Sequence, residues 1–261
     1  MIYFVHTDFY KYALFLLKTK KNHFNKKKIM TDMCQNLIKL TKGKIIIPTY
    51  NYDFPKTKKF DYHRDKSQVG VFSEFFRKKY KNNRTKTPMF STCTADKNLI
   101  FYNKQKEFDP CGKDSEFDYL AKNKGKIIFF GADFAPSFIM YIERCSPNGA
   151  LYRYKKEFNG RTYNNGKYTS CCLKYEVRPL SINIEYDLIK IKKDLLKFKI
   201  LKNNKANNGF VYEEIDAKKF LKYGLEKLKK NPYFFLTKKT INMLKIKKKY
   251  NFKKLTNKDL S

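Results

Sequence analysis

Three short apolar runs constrain this chain more than anything else in it: MIYFV at Met1–Val5, KIIIPTYNY at Lys44–Tyr52 and KIIFFGADF at Lys126–Phe134. Each is rich in β-branched and aromatic residues and too short for a buried helix, so each reads as a strand. Pro48, which cannot donate to a ladder, marks the exit of the second. Between them the apolar spacing turns helical. A helix is expected over Phe9–Leu17, and another over Met30–Thr41, with Met30, Met33, Cys34, Leu37 and Leu40 on one face and Gly43 closing it. A third covers Gln68–Tyr80 with Val69, Phe72, Phe75 and Phe76 as its stripe, and Ser137–Glu143 begins a fourth. Glu185–Leu201 reads as a lysine-rich helix carrying Tyr186, Ile189, Leu195 and Leu196. Ala217–Lys230 reads as a helix capped by Asp216, with Phe220, Leu221, Leu225 and Leu228 inward, and ended by NPYFFL.

Further strands are expected at Asn98–Asn103, Thr169–Val177 and Gly209–Ile215. Lys18–Lys28 reads as a surface turn and Asp53–Lys66 as a loop. Pro147–Lys167 reads as turns and hairpins, with a strong turn signal at Asn164–Gly166. Strands and helices mixed along one chain, without a linker or repeat, predict an α/β fold: one domain with a mixed sheet flanked by helices. That domain covers residues 1–240. A lysine-rich tail follows over 241–261, frayed after about Lys245.

The chain has 261 residues, of which 42% are hydrophobic and 17% aromatic, enough to fill a core and to exclude a disordered chain. Its formal charge is +34, but the lysines are spread over the whole length and accompany an excess of Asn, Ile, Tyr and Phe, the pattern of a coding bias. No zinc-finger spacing, basic zipper or RNP-like motif concentrates them, so nucleic acid is not an expected partner. Salt-steep binding to random DNA is the alternative from that class. The positive field favours small anionic ligands. The six cysteines form no CxxC pair, and the three histidines His6, His23 and His63 are not spaced as ligands, so no metal is expected. Cys171 and Cys172 are adjacent, poor geometry for a disulfide, which fits a reducing, cytoplasmic location. His6, Asp8 and Lys11 interrupt the apolar N-terminus, no cleavage site follows, and no run of 18 apolar residues exists, so neither a signal peptide nor a membrane span is expected. Oligomeric state is not legible.

The stretch RTKTPMFSTCTADKN (Arg84–Asn98) gathers two basic residues, a proline, a Ser/Thr/Cys cluster and an acid, like the lip of a binding site. Taken with the preceding residues from Ile45, it resembles the aminoglycoside N(3)-acetyltransferase family. That family shows a strand ending in Pro-Thr, then a loop, then Arg, Ser, Val-Gly, Glu and Phe-Arg, then an Arg-Ser, His-Pro, Ser element. The matching positions are Pro48-Thr49, Arg64, Ser67, Val69-Gly70, Glu74, Phe76-Arg77, Arg84-Thr85, Pro88 and Ser91. FVHTDF (Phe4–Phe9) is similar to the family's first strand and its His-Ser-Ser turn. Cys111–Leu120 is similar to its Gly-Glu-Gly-Ser-Pro-Phe element, Ile127–Glu143 to its strand, Gly and His-x-x-Glu helix, and Phe220–Leu236 to its closing helix. The likeness runs over about residues 1–236.

The resemblance implies the family's α/β fold, acetyl-CoA as co-substrate without a metal, and an amino sugar or aminoglycoside as acceptor. Antibiotic resistance or surface-polysaccharide synthesis would be the setting. Transfer to an amine needs a neutral amine, donors to the thioester oxygen as it gains charge, and alignment. In the family a His three residues before a Glu manages the proton. Here Glu143 keeps the Glu position, Met140 stands in place of the His, Thr87 replaces the His before Pro88, and Lys113 falls where an acid is expected.

Two readings follow. In one the chain is active, with Glu143 or Asp133 as base, Ser137 as donor to the carbonyl oxygen, and His6 or His63 folded into the site. In the other it is a degenerate member that binds CoA or a sugar without transfer. The resemblance points to His6, Thr7, Asp8, Arg84, Thr85 and Ser91 for CoA, with Arg64, Arg84 and Lys86 as phosphate partners. Tyr50, Asp53, Arg64, Asp114 and Glu116 would face the acceptor. The positive field suits an anionic acceptor such as a nucleotide-linked amino sugar better than a polycationic drug. The bland readings stand beside these: Met140 as core, Glu143 paired with a surface lysine, His6 a satisfied buried histidine, Ser91 and Thr92 as turn or cap residues, and Cys93 without a base to activate it.

Overall fold

The computed structural model describes residues 1–20, 25–99, 107–147, 149–164, 166–179 and 182–246. Strand β1 (Tyr3–Thr7) leads into α1 (Phe9–Lys20) and α2 (Lys26–Thr41), which return the chain to β2 (Ile45–Pro48). After the short α3 (Phe54–Thr57) and β3 (Lys59–Asp61) come α4 (Val71–Lys79), β4 (Thr92–Thr94), β5 (Glu107–Phe108) and α5 (Glu116–Lys122). β6 (Lys126–Phe130) and α6 (Phe138–Cys145) precede a hairpin of β7 (Tyr154–Asn164) and β8 (Lys167–Val177). The chain closes with α7 (Leu188–Lys197), β9 (Leu201–Lys205), β10 (Val211–Asp216), α8 (Ala217–Lys230) and α9 (Lys238–Ile246).

The three sequence-legible runs become the centre of a six-stranded mixed sheet, in the order β4-β2-β1-β6-β10-β9. β2, β1 and β6 run parallel, with Tyr3 opposite both Ile45 and Lys126, while the flanking strands pair antiparallel. Because side chains alternate along a strand, both faces are apolar and both are covered. Phe4, Ile46, Ile127 and Phe129 pack with Leu120, Ile142 and Phe220 of α5, α6 and α8. Val5, Ile45, Ile47 and Phe130 pack with Tyr12, Met33, Leu37 and Phe76 of α1, α2 and α4. A second sheet, β3-β7-β8-β5, rests on Phe54, Phe60, Phe108, Phe158 and Leu173. Asp216 caps α8 by accepting from the Lys219 N–H at 3.0 Å, as its place before a helix-patterned run predicts.

Several elements depart from the sequence reading. α1 runs on to Lys20 and α2 begins at Lys26, so most of the expected turn over Lys18–Lys28 is helix where the chain is described. The third helix starts at Val71 rather than Gln68, because Gly70 takes φ 125°, a conformation glycine alone adopts readily. Asp53–Lys66 contains α3 and β3. Pro147–Lys167 is mostly one long strand, and β7 pairs with β8 from Tyr154↔Val177 to Asn164↔Lys167. The turn therefore falls where the Asn164–Gly166 signal marks it, although Asn165 lies outside the described residues. The helix expected over Glu185–Leu201 is shorter, since Tyr186 bridges Leu236, Asp187 caps α7 and Leu201 opens β9. Of the strand expected over Asn98–Asn103, the described part forms a helical turn at Lys97–Leu99, and residues 100–103 lie outside the described residues. After NPYFFL a further helix, α9, runs through residue 240, with Leu244 buried in a small cluster around Tyr152 and Ile184. The tail after residue 246 lies outside the described residues. Among the described residues no helix is long and apolar enough to cross a membrane.

Helix α8 meets α6 through Gly224, where an added Cβ would stand 2.6 Å from Ile142 Cγ2 and 3.1 Å from the Phe235 ring. Gly224→Ala gains helix propensity of about 1 kcal/mol but overpacks a core site at a cost of about 1–3 kcal/mol. The variant is expected to melt a few degrees lower than the parent in a thermal scan, and an unchanged or raised midpoint would contradict this packing.

Candidate functional site

Helix α6 carries two jobs on two faces. Phe138, Ile139 and Ile142 enter the core, while Ser137, Met140 and Arg144 recur at i+3 and i+4 on a stripe facing the long hairpin. Met140 and Arg144, with Asp109 and Cys111, form one side of a cavity of about 270 Å³. The other side comes from Arg153 and the strand residues Lys155, Lys156, Glu157, Lys174, Tyr175 and Glu176. The Tyr175 hydroxyl donates to the Met140 sulfur at 2.9 Å. Arg144 is shared by Asp109 at 3.3 Å and Glu176 at 3.2 Å. Burial raises the Glu176 carboxyl above its usual range, with Arg144 opposing. Burial likewise pushes the Cys111 thiol well up, so it stays neutral.

Behind Met140 lies Glu143, fully buried and fully engaged. Its Oε1 accepts from the Tyr152 hydroxyl, and its Oε2 accepts from Arg153 Nε at 2.7 Å and from the Tyr186 hydroxyl at 2.8 Å. Arg153 also donates to the Glu176 carbonyl and to the Tyr186 oxygen, both at 2.7 Å. Burial opposes the guanidinium charge, but the Glu143 carboxylate beside it holds the group ionised.

A second group of polar residues gathers where β2, β1 and β6 end together, the edge at which open α/β sheets take ligands. Glu116, the first residue of α5, is 4% exposed and accepts from Thr92 Oγ1 at 3.0 Å. Burial lifts its carboxyl to about 7, poised for proton exchange near neutral pH. Tyr50 is buried beside Phe90 and its phenol is raised well above the usual range by burial, with Tyr52 and Glu116 adding and Ser137 opposing. His6 stacks on Phe129 at 5.1 Å, and burial lowers its imidazole to about 4. His6 Nε2 and Ser137 Oγ are buried and make no hydrogen bond in good geometry among the described residues. The two groups are contiguous: Ser137 and Met140 share the α6 stripe, and Cys111 both lines the cavity and acts electrostatically on Tyr50.

Tyr50, Glu116 and Ser137 thus come together, and Glu143 lies under the cavity wall. Others do not join them. Asp133 is 91% exposed in its side chain and pairs with Lys11 at 2.5 Å. Arg64 is 84% exposed and 3.8 Å from Asp61. Asp8 caps α1, accepting from the Tyr10 N–H at 2.8 Å, just after Thr7 at the end of β1. Asp53 accepts from the Gln68 amide at 2.9 Å. Asp114 sits in a left-handed turn at φ 64° ahead of α5.

Arg84 corrects the expectation of a phosphate contact. It is 1% exposed, donates to the carbonyls of Thr49, Tyr62 and Asp65 and to the Ser91 hydroxyl, and lies over the Phe60 ring. Its guanidinium is thus spent on acceptors inside the protein. Thr85 and Ser91 are buried in the same seam, Thr85 Oγ1 accepting from the Thr92 N–H and Ser91 Oγ donating to the Thr49 carbonyl. Lys86 lies over the Tyr62 ring at 5.6 Å. His63 rests on Tyr62 at 3.9 Å, so among the described residues no imidazole lines the cavity.

The sequence reading missed Arg153, Tyr152, Tyr175 and Tyr186. A signal for the first was present. Only seven arginines stand among 58 basic residues, so in a chain where lysine is the default cation an arginine is a candidate for a place that needs a fixed fork of donors. Arg77, Arg84, Arg144 and Arg153 all sit in such places. Among the described residues no group of three His, Cys, Asp or Glu side chains is placed to hold a metal ion, and the cysteines there are free.

The family model for aminoglycoside 3-N-acetyltransferase matches residues 30–227. No curated protein sequence matches the chain. Among solved structures, the aminoglycoside acetyltransferase AAC(3)-Xa is 12% identical, with 90% of this chain and 87% of that one covered, at a TM-score of 0.66. AAC-IIIb in a binary complex with CoASH is 14% identical, with 88% and 90% covered, at a TM-score of 0.64. A mutant of AAC(3)-IVa in complex with a gentamicin is 13% identical, with 92% and 86% covered, at a TM-score of 0.65. These likenesses establish the fold: the chain has the α/β architecture of those enzymes.

Glu116 gives a pH signature. Its folded carboxyl titrates at about 7, above the ordinary 4.5. Between those values the folded chain binds a proton that the unfolded chain has released, so stability falls as pH rises toward 7 and levels off above it. Compared with Glu116→Gln in denaturant titrations, the parent is expected to lose up to about 1.4 kcal/mol per pH unit across that window. Parallel profiles would place the carboxyl in water.

Proposed function

This chain belongs to the aminoglycoside 3-N-acetyltransferase family, and on that premise we propose that it is an acetyl-CoA-dependent N-acetyltransferase acting on an amino group of an amino sugar or aminoglycoside. One observation carries the reading. The cavity opens beside Met140 and above Glu143, the two positions at which the resemblance places the His-x-x-Glu pair. The fold relatives add support, one holding CoASH and another a gentamicin.

In this reading the strand-end group takes the acyl side. Ser137 Oγ and His6 Nε2 are the polar atoms with unused hydrogen-bonding capacity there, and Ser137 would donate to the thioester oxygen as it gains charge. Acetyl-CoA supplies the activated acyl group. The amine would lie toward Met140. Glu143 is occupied with Arg153 and two tyrosines, so its work is to hold that wall rather than to take a proton. Glu176 lines the cavity, its carboxyl is raised by burial against the opposing Arg144, and it is the proposed proton acceptor once it parts from that arginine. Asp133, exposed and paired with Lys11, plays no part in it.

A methionine neither gives nor takes a proton, and a well-placed base is worth roughly 10²–10⁴ in rate. Transfer is therefore expected to be slow. Release of CoA from acetyl-CoA, followed with a panel of aminoglycosides and amino sugars, should be measurable for the parent and at least about tenfold faster for Met140→His. No release with any acceptor, alongside measurable binding of acetyl-CoA, would leave a binding protein without transfer and end this reading.

A further inference from the structure

We propose that the cavity beside Met140 receives a single-ring amino sugar carrying an anionic group, a sugar phosphate in class, with Lys155 and Lys156 taking the anion. The sugar's role as acceptor rests on the transferase reading; its binding does not.

The charges on the cavity wall decide against a polycation. Asp109 and Glu176 are both spent on Arg144, at 3.3 and 3.2 Å. Glu143 below is spent on Arg153 at 2.7 Å. A polyamine would have to displace an arginine from a two-carboxylate clasp to reach either Asp109 or Glu176. Glu157 is the remaining acid, and it stands opposite Lys174 in the β7–β8 ladder. Lys174 itself pairs with Glu107 at 2.8 Å.

The lysines are differently placed. Among the described residues neither Lys155 nor Lys156 has a carboxylate within salt-bridge distance, and both line the cavity. Lys155 stands opposite Glu176 in the ladder and Lys156 opposite Tyr175, whose hydroxyl holds the Met140 sulfur. Paired residues share a face of the sheet, so the Lys156 stem starts on the face that touches Met140, while Lys155 starts on the other face beside Glu176 and reaches the cavity from that side. The anion subsite and the methionine wall are thus one residue pair apart, within the span of a sugar ring. Size agrees with charge, since about 270 Å³ falls just below the usual range of about 300–1,000 Å³ for ligand pockets. One ring fits better than the several rings of an aminoglycoside. The overall charge of +34 steers the same kind of ligand inward.

The phosphates of CoA share this chemistry, and the test separates the two sources. Titration calorimetry on the full chain would use glucosamine 6-phosphate, glucosamine, gentamicin and CoA, with the parent and the neutralised double variant Lys155→Gln/Lys156→Gln. Glucosamine 6-phosphate should bind at least about tenfold more tightly than glucosamine. The advantage should shrink with added salt and vanish in the double variant, with CoA affinity unchanged. Circular dichroism confirms that the variant is folded. Equal affinity for the two sugars, tighter binding of gentamicin, or no sugar binding would overturn the proposal. So would a double variant that weakens CoA and spares the sugar phosphate, which would put the CoA phosphates on these lysines. Selective sugar-phosphate binding without any CoA release would leave this inference standing and sink the transferase reading alone.

Discussion

A carboxylate and a guanidinium, both out of water, hold the functional end of this molecule together. Glu143 and Arg153 are each almost completely buried and meet at 2.7 Å. Removing two charges from water costs several kcal/mol per ion, and attraction repays that only when the remaining hydrogen-bonding capacity is filled. Here it is filled. Tyr152 and Tyr186 complete the carboxylate, and the Glu176 carbonyl and Tyr186 oxygen take the other arginine donors. The network joins α6, the start of β7, the end of β8 and the segment before α7. It fixes the hairpin against the helix at the height where the cavity opens. Beside it the second sheet meets the α6 stripe through the more exposed Arg144 clasp and the Tyr175 hydroxyl on Met140.

That arrangement explains how a site can keep its form while one expected group is gone. At Met140, where the resemblance expects an imidazole, stands a flexible thioether held by a phenol. Burial has pushed two carboxyls upward nearby, Glu176 in the cavity and Glu116 at the strand ends. Among the described residues Asp109 and Glu176 at the cavity are held by Arg144, while Lys155 and Lys156 have no carboxylate within salt-bridge distance. A positive field over the whole chain and a local excess of free cations point in the same direction.

Much of the frame was legible in the residues. Ile45–Ile47 and Ile127–Phe130 could only be strands buried on both faces, and the order of landmarks around Pro48, Gly70, Arg84 and Glu143 gave the fold family. Met140, singled out by its place three residues before Glu143, lines the cavity. What the residues hid follows from physical causes. The length of the hairpin was obscured because the first residues of β8, Lys167–Ser170, are exposed on both faces and show no apolar alternation. Arg84 looked like a phosphate ligand because its acceptors are carbonyls and hydroxyls far along the chain, at Thr49, Tyr62, Asp65 and Ser91. Glu143 looked like a free base because its partner is Arg153, in a stretch that read as turns. Fifty-eight basic residues hid which ones mattered, and the seven arginines were the clue.

The Glu143–Arg153 pair is the keystone of the cavity rather than an incidental buried contact. A double-mutant cycle with Glu143→Gln and Arg153→Met, read by denaturant unfolding, tests this most directly. Each single variant leaves one buried charge unpaired and should lose about 3–5 kcal/mol, while the double variant should lose less than the sum, and no more than the worse single. Small, additive losses would mean that the two groups are solvated and independent, and the account of this site would fail.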